Sequence, residues 1–67
     1  MEVKYPEVKA VKLVGEDGNA FAILGRVMSA MKSAGLSKEI QNAYFAEATS
    51  GDYDHLLQTT MKWVKTR

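Results

Sequence analysis

The single histidine of the chain lies in a short polar run with two carboxylates and a phenol. In this run, Ser50-Gly51-Asp52-Tyr53-Asp54-His55, a carboxylate beside the imidazole could bind a divalent metal ion or exchange protons near neutral pH. The same residues also fit a helix start, with Asp52 as the cap, Tyr53 packed inward, Asp54 favoured by the helix dipole and His55 exposed. With one histidine and no cysteine, a transition-metal site would lack ligands. We therefore expect a capped helix here and no metal, cofactor or catalytic site.

A second candidate is the run Gly15-Glu16-Asp17-Gly18-Asn19, because glycine-rich turns before a helix can bind phosphate. The spacing matches neither the dinucleotide fingerprint nor the P-loop, and the carboxylates of Glu16 and Asp17 would repel phosphate. We expect an ordinary turn whose two acids attract a cationic partner. Nucleophilic catalysis has no support either, since the chain lacks cysteine and a serine elbow motif. The sequence therefore predicts a protein that is not an enzyme.

Three aromatic residues, Tyr44, Phe45 and Trp63, are too many for one small core to bury. One or two of them should lie in an exposed apolar patch, which is typical of a protein contact. We expect an interaction surface that contains Phe45 and Trp63, with Glu16 and Asp17 nearby. The expected function is that of an accessory protein-protein interaction module with an unidentified protein partner.

Nucleic-acid binding is the alternative function. A helix-turn-helix could span residues 37–64, with Lys62, Lys65 and Arg67 on phosphates and Trp63 stacked on a base. A basic face that gathers these three cations with Lys9 and Lys12 would distinguish this function. Against this, the last helix would begin with two aspartates, and nine basic against eight acidic residues leave a net charge of only +1. Affinity for DNA depends largely on phosphate neutralisation, so nucleic acid is not the expected partner. A metal-dependent enzyme built on Asp52, Asp54 and His55 ranks third.

The elements that would position these residues are mainly helical. An apolar stripe at helical spacing predicts a first helix between Asn19 as the N-cap and Gly35 as the stop. The stripe consists of Ala20, Ile23, Leu24, Val27, Met28 and Met31. Gly25 interrupts this helix at a cost of about 1 kcal/mol relative to alanine, which indicates close approach by another element.

Two further helices follow. Ser37 should cap a second helix that runs to about Thr49, and the break at Ser50-Gly51 separates it from a third helix capped by Asp52. Residues 63–66 could finish that third helix or form a short strand, because tryptophan, valine and threonine favour strands.

Residues 8–14 are rich in valine and loosely alternating, which predicts a short strand. A lone strand needs a partner edge, and residues 2–5, residues 63–66 or a second copy of the chain could supply it. The predicted class is therefore α+β: a short N-terminal strand, three helices and a candidate C-terminal strand beside the first. If a second copy of the chain supplies the partner edge, the protein is a homodimer.

Length and composition complete these expectations. With 67 residues, 46% of them apolar, the chain forms one small domain, 1–67, in which residues 1–7 are a candidate flexible segment. No stretch is apolar enough to span a bilayer, and the residues after Met1 do not form a secretory signal. We expect a cytoplasmic protein that does not bind membranes.

Two segments resemble known sequences. They are residues 11–23, VKLVGEDGNAFAI, and residues 47–57, EATSGDYDHLL, followed by Met61-Lys62-Trp63-Val64. Together they resemble a family of small uncharacterised proteins encoded by bacteriophages and bacteria. The resemblance implies a cytoplasmic accessory protein and brings no activity or catalytic residue with it.

Overall fold

The fold is a small all-α domain of three helices. The computed structural model describes residues 3–13 and 20–67, and within them α1 spans Ala20–Ser33, α2 spans Lys38–Ala48 and α3 spans Tyr53–Trp63. The three helices predicted from the apolar periodicity are therefore present. In this part of the chain, no helix has the length and apolar character needed to cross a membrane.

Helix α1 forms because its apolar stripe faces the core and its end has a specific stop signal. Ile23, Leu24, Val27 and Met31 are buried on one face. Gly35 follows the helix with φ at 86°, a left-handed conformation that favours glycine. The amides of Gly35 and Leu36 donate to the carbonyls of Lys32 and Met31 at 3.0 Å each, which is the Schellman pattern. The predicted stop at Gly35 is confirmed.

Side-chain caps define the starts of the other two helices. The Ser37 hydroxyl accepts a hydrogen bond from the Ile40 amide at 3.2 Å, and the Asp52 carboxylate accepts one from the His55 amide at 2.9 Å. Each bond satisfies an amide that the first turn of a helix leaves without a partner. Both predicted caps are confirmed.

The α+β class is wrong, because the described residues contain no β-strand. Residues 8–13 are an irregular extended segment beside the C-terminal residues, joined by one isolated parallel bridge between Val11 and Thr66. The buried side chains of this segment, Val8 and Val11, lie three residues apart and not two. A strand would place them on opposite faces. The segment therefore contributes to the core without forming a sheet, and residue 14 lies outside the described residues.

Backbone hydrogen bonds nevertheless fix this extended segment. The Val11 amide donates to Lys65 O at 2.9 Å, and the Arg67 amide donates back to Val11 O at 3.0 Å. Further towards the N-terminus, the amides of Lys4 and Tyr5 donate to the carbonyls of Lys62 and Trp63, at 3.0 and 2.9 Å. Both ends of the described chain are thus held together.

A buried polar pair connects α2 to α3. The Thr60 hydroxyl donates to Leu56 O at 2.9 Å, so it must accept the 2.6 Å hydrogen bond that joins it to the Tyr44 hydroxyl. Burial raises the pKa of the Tyr44 hydroxyl from its usual value of 10.0. Tyr44 and Thr60 are both fully buried, so this bond is shielded from water.

We predict that removing the Thr60 hydroxyl destabilises the protein more than removing the Tyr44 hydroxyl. Thr60→Val leaves the Tyr44 hydroxyl buried without an acceptor and should lower the free energy of unfolding by about 1–3 kcal/mol. Tyr44→Phe should cost less, about 1 kcal/mol, because Thr60 keeps its bond to Leu56 O. Urea denaturation measures both, with Tyr53→Phe as the exposed control. Equal losses from the two variants would contradict this account.

The raised pKa of Tyr44 also predicts a loss of stability at high pH. Above the unfolded value near 10.0, the unfolded chain loses the tyrosine proton while the folded chain keeps it, so unfolding becomes more favourable. The stability that the buried, protonated Tyr44 contributes is fully present below the unfolded pKa and is lost as the pH rises through the folded pKa. Urea denaturation from about pH 9 to pH 11 should show a shallower decline for Tyr44→Phe than for the wild type. Parallel declines would refute the assignment.

Candidate functional site

A small apolar pocket opens where the end of α2 and the start of α3 meet the first turn of α1. We call this feature the junction pocket, and its volume is about 190 Å³. It is lined by Ala20, Phe21, Leu24, Ala48, Thr49, Gly51, Asp52, Tyr53 and Leu56. Most of these residues belong to the two segments, 11–23 and 47–57, that carry the family resemblance. The fold thus brings together two segments that are far apart in the sequence.

The junction pocket has buried apolar residues within it and exposed aromatic residues beside them. Leu24, Ala48 and Leu56 are buried. Phe21 is 78% exposed and Tyr53 is 38% exposed. Two exposed aromatic rings around an apolar depression are the kind of surface that recurs at protein contacts.

The turn between α2 and α3 is built from short-range hydrogen bonds. The Thr49 hydroxyl donates to Phe45 O at 2.7 Å, and the Ser50 hydroxyl donates to Glu47 O at 2.7 Å. The backbone amides of Thr49 and Ser50 donate to the same two carbonyls at 3.0 and 3.2 Å, so each hydroxyl adds a second bond at the end of α2. Asp52 then caps α3, so the turn places the pocket residues Thr49, Gly51 and Asp52 in fixed positions.

His55 connects the end of α2 to the start of α3 through its ring. Its Nε2 lies 2.9 Å from Glu47 O and 3.1 Å from the Ser50 hydroxyl oxygen. A carbonyl only accepts, so Nε2 must hold a proton and donate it. A side chain at Gly51 would collide with this ring, since an added Cβ would lie 2.9 Å from His55 Cβ and Cγ. Glycine at position 51 therefore leaves the space that the His55 ring occupies.

The three polar residues that could have formed a metal or acid-base site have separate structural partners. Asp52 caps α3, Asp54 accepts a hydrogen bond from Gln58 Nε2 at 3.1 Å, and His55 donates to Glu47 O. Over the described residues, no three or more histidine, cysteine or acidic side chains are grouped so that they could hold a metal ion. The geometry thus fits the helix-start interpretation of Asp52, Asp54 and His55.

The structure describes two of the four predicted contact residues, and one of these two is exposed. Phe45 is 40% exposed on α2, whereas Trp63 is only 4% exposed and belongs to the core, so its predicted exposure is wrong. Glu16 and Asp17 lie outside the described residues. Tyr53, which we expected to pack inward, is exposed instead.

Phe21 is the pocket residue that the sequence reasoning missed. It does not belong to the apolar stripe of α1, which begins Ala20, Ile23, Leu24. A large aromatic side chain off the buried face of an amphipathic helix is a signal that could have identified it.

Comparison with protein-family models, with curated proteins and with solved structures finds no match for this chain. The resemblance to small phage and bacterial proteins therefore stays a prediction, and function must be argued from the geometry.

We predict opposite effects for alanine at two of the glycines. Gly51→Ala should displace the His55 ring, weaken its bond to Glu47 O and lower the free energy of unfolding by about 1–2 kcal/mol. Gly25→Ala is the matched control, because apart from the neighbouring residues and backbone of α1 itself no described atom lies within 4 Å of its added Cβ. It should raise that free energy by about 1 kcal/mol, since alanine favours the helix.

The steric origin of the Gly51→Ala effect can be tested in a variant that lacks the His55 ring. When His55→Ala removes the ring, the additional cost of Gly51→Ala should disappear in urea denaturation. The same penalty with and without the ring would show that His55 is not the reason for glycine at position 51.

Proposed function

We propose that the protein is a cytoplasmic, non-enzymatic protein-protein interaction module whose junction pocket receives an apolar side chain of a partner protein. The observation that supports this most directly is the pair of exposed aromatic residues, Phe21 and Tyr53, around the apolar junction pocket. Aromatic residues at a contact bury a large area with few rotatable bonds, which makes them effective anchors.

The volume of the junction pocket suits one side chain. A cavity of about 150 Å³ can hold a benzene molecule. At about 190 Å³, the junction pocket is large enough for one aromatic or branched aliphatic side chain. Burial of that side chain against Leu24 and Leu56 would supply apolar contact without an unsatisfied polar group.

The contact surface extends from the pocket along α2. Phe45 lies one helical turn before Thr49, which lines the pocket, so the two residues share one face of α2. Asp52 adds a carboxylate at the pocket itself. A partner segment with an apolar anchor beside a lysine or arginine would complement this surface, and Glu16 and Asp17, close to Phe21 in the sequence, would reinforce the preference.

The hydrogen bonds of His55 support a non-enzymatic role. The Nε2 proton is donated to a backbone carbonyl of the same chain, which uses the imidazole to join two helices. Asp52 is likewise used as a helix cap. The cytoplasmic location is part of the proposal, and a chain without cysteine is compatible with a reducing compartment.

We predict that Phe21→Ser weakens partner binding about tenfold or more, since it removes an aromatic anchor. Met61→Ser is the matched control, because Met61 is an exposed apolar residue, 47% exposed, that does not line the junction pocket. A photo-crosslinking amino acid placed at position 21 and, separately, at position 61 would identify the partner in cells. Binding of the purified partner to both serine variants is then measured by calorimetry.

A homodimer is one form of this proposal, with a second copy as the partner. Sedimentation equilibrium would then show a dimer that Phe21→Ser dissociates and Met61→Ser leaves intact. A monomer that crosslinks equally at positions 21 and 61 would contradict the proposed function.

A further inference from the structure

A second and larger cavity is an open groove between the N-terminal extended segment and α1. We call it the basic groove, and its volume is about 530 Å³. Among the described residues that line it, none is acidic and four are cationic: Lys9, Lys12, Arg26 and Arg67. They are four of the nine basic residues of a chain whose net charge is only +1. The described part of the groove is therefore more positive than the chain average.

The backbone holds these four residues together although they are distant in the sequence. The Arg67 amide donates to Val11 O at 3.0 Å, which places the C-terminal cation beside Lys12. Across the groove, Arg26 Nη1 donates to Lys12 O at 3.3 Å. Three separate parts of the chain thus build the groove: residues 9–12, α1 and the C-terminal residue.

A glycine of α1 also lines the basic groove. Gly25 lies in the interior of α1, where glycine weakens the helix, and apart from the neighbouring residues and backbone of α1 itself no described atom lies within 4 Å of an added Cβ. Its φ is not positive, since Gly35 is the described glycine with a positive φ. Neither packing among the described residues nor backbone conformation therefore requires glycine here. Its effect is to let a ligand approach the helix backbone between the cationic side chains.

We propose that the basic groove binds the phosphate backbone of a nucleic acid without reading its sequence. The planar guanidinium groups of Arg26 and Arg67 match phosphate oxygens in pairs, and Lys12 adds a point charge between them. The groove has no aromatic residue on which a base could stack, which leaves the backbone as the part that is bound. Its apolar residues are small, so it offers no pocket for the side-chain anchors of a peptide.

This inference is independent of the proposed function and differs from the basic face expected from the sequence. Lys9, Lys12 and Arg67 belong to both, but Lys62 and Lys65 do not line the groove, and Arg26 joins it instead. Glu7 lines a neighbouring depression together with Lys9. Because an acidic residue shares that depression with Lys9, we expect Lys12, Arg26 and Arg67 to contribute most.

Fluorescence anisotropy with labelled DNA of about 15 nucleotides, single-stranded and duplex, tests the proposal at increasing salt. Three phosphate contacts, one each from Lys12, Arg26 and Arg67, predict a slope of log affinity against log salt of about −2 to −3. Arg26→Gln and Lys12→Gln should each weaken binding and reduce the magnitude of the slope by about 1. Lys38→Gln, on exposed α2 surface outside the groove, is the control that should change neither.

Gly25 provides a test that leaves the charge unchanged. Gly25→Ala should raise the midpoint of thermal unfolding by about 4–8 °C, and Gly25→Gln should also keep the helix stable. The glutamine side chain would occupy the groove, so Gly25→Gln should weaken DNA binding at least fivefold in a protein that is folded as well as the wild type.

The proposal is overturned by absence of binding at low salt, or by a loss from Lys38→Gln equal to that from Arg26→Gln. Polyglutamate of the same charge as the oligonucleotide serves as the competitor. If it displaces the DNA as effectively as unlabelled DNA does, the groove recognises an acidic peptide and the assignment to nucleic acid is wrong.

Discussion

The burial of Trp63 at the end of α3 is the interaction on which the rest of the structure depends. Its ring packs edge-on against Tyr44 of α2 with centroids 5.7 Å apart, and against Tyr5 of the N-terminal segment at 5.6 Å. Lys4 Nζ lies 4.2 Å above the same ring, and the Tyr5 amide donates to Trp63 O. One residue therefore joins α2, α3 and the N-terminal segment in a 67-residue chain that has no disulfide.

Both candidate surfaces follow from this arrangement. With Tyr5 and Val11 bonded to the C-terminal residues, Lys12 lies near Arg67 and the basic groove can form. Helix α1 contributes to both surfaces, because Leu24 lines the junction pocket while Gly25, the next residue, lines the groove. Successive residues of a helix point about 100° apart, so one helix serves two separate surfaces.

Features set by nearby residues could be predicted from the sequence, whereas features set by distant ones could not. The caps at Ser37 and Asp52 and the stop at Gly35 each depend on hydrogen bonds within one turn, and all three were predictable. The strand at residues 8–14 was predicted from valine content, but a strand requires a regular partner, and the described residues supply a single bridge. The burial of Trp63 likewise depends on Tyr5, which lies 58 positions before it in the sequence.

The local distribution of charge also depends on residues that are distant in the sequence, so it could not be predicted. A net charge near zero is a property of the whole chain, while a phosphate group responds to charges within about 10 Å of it at ordinary salt. In the sequence, Arg26 is a polar residue of α1 without any pattern that predicts a function. Lys12 and Arg67 lie near opposite ends of the chain. Their proximity arises from the hydrogen bond between Arg67 and Val11 and from the one between Arg26 and Lys12. Net charge alone is therefore a weak argument about nucleic-acid binding, because the fold brings four cationic residues to one groove.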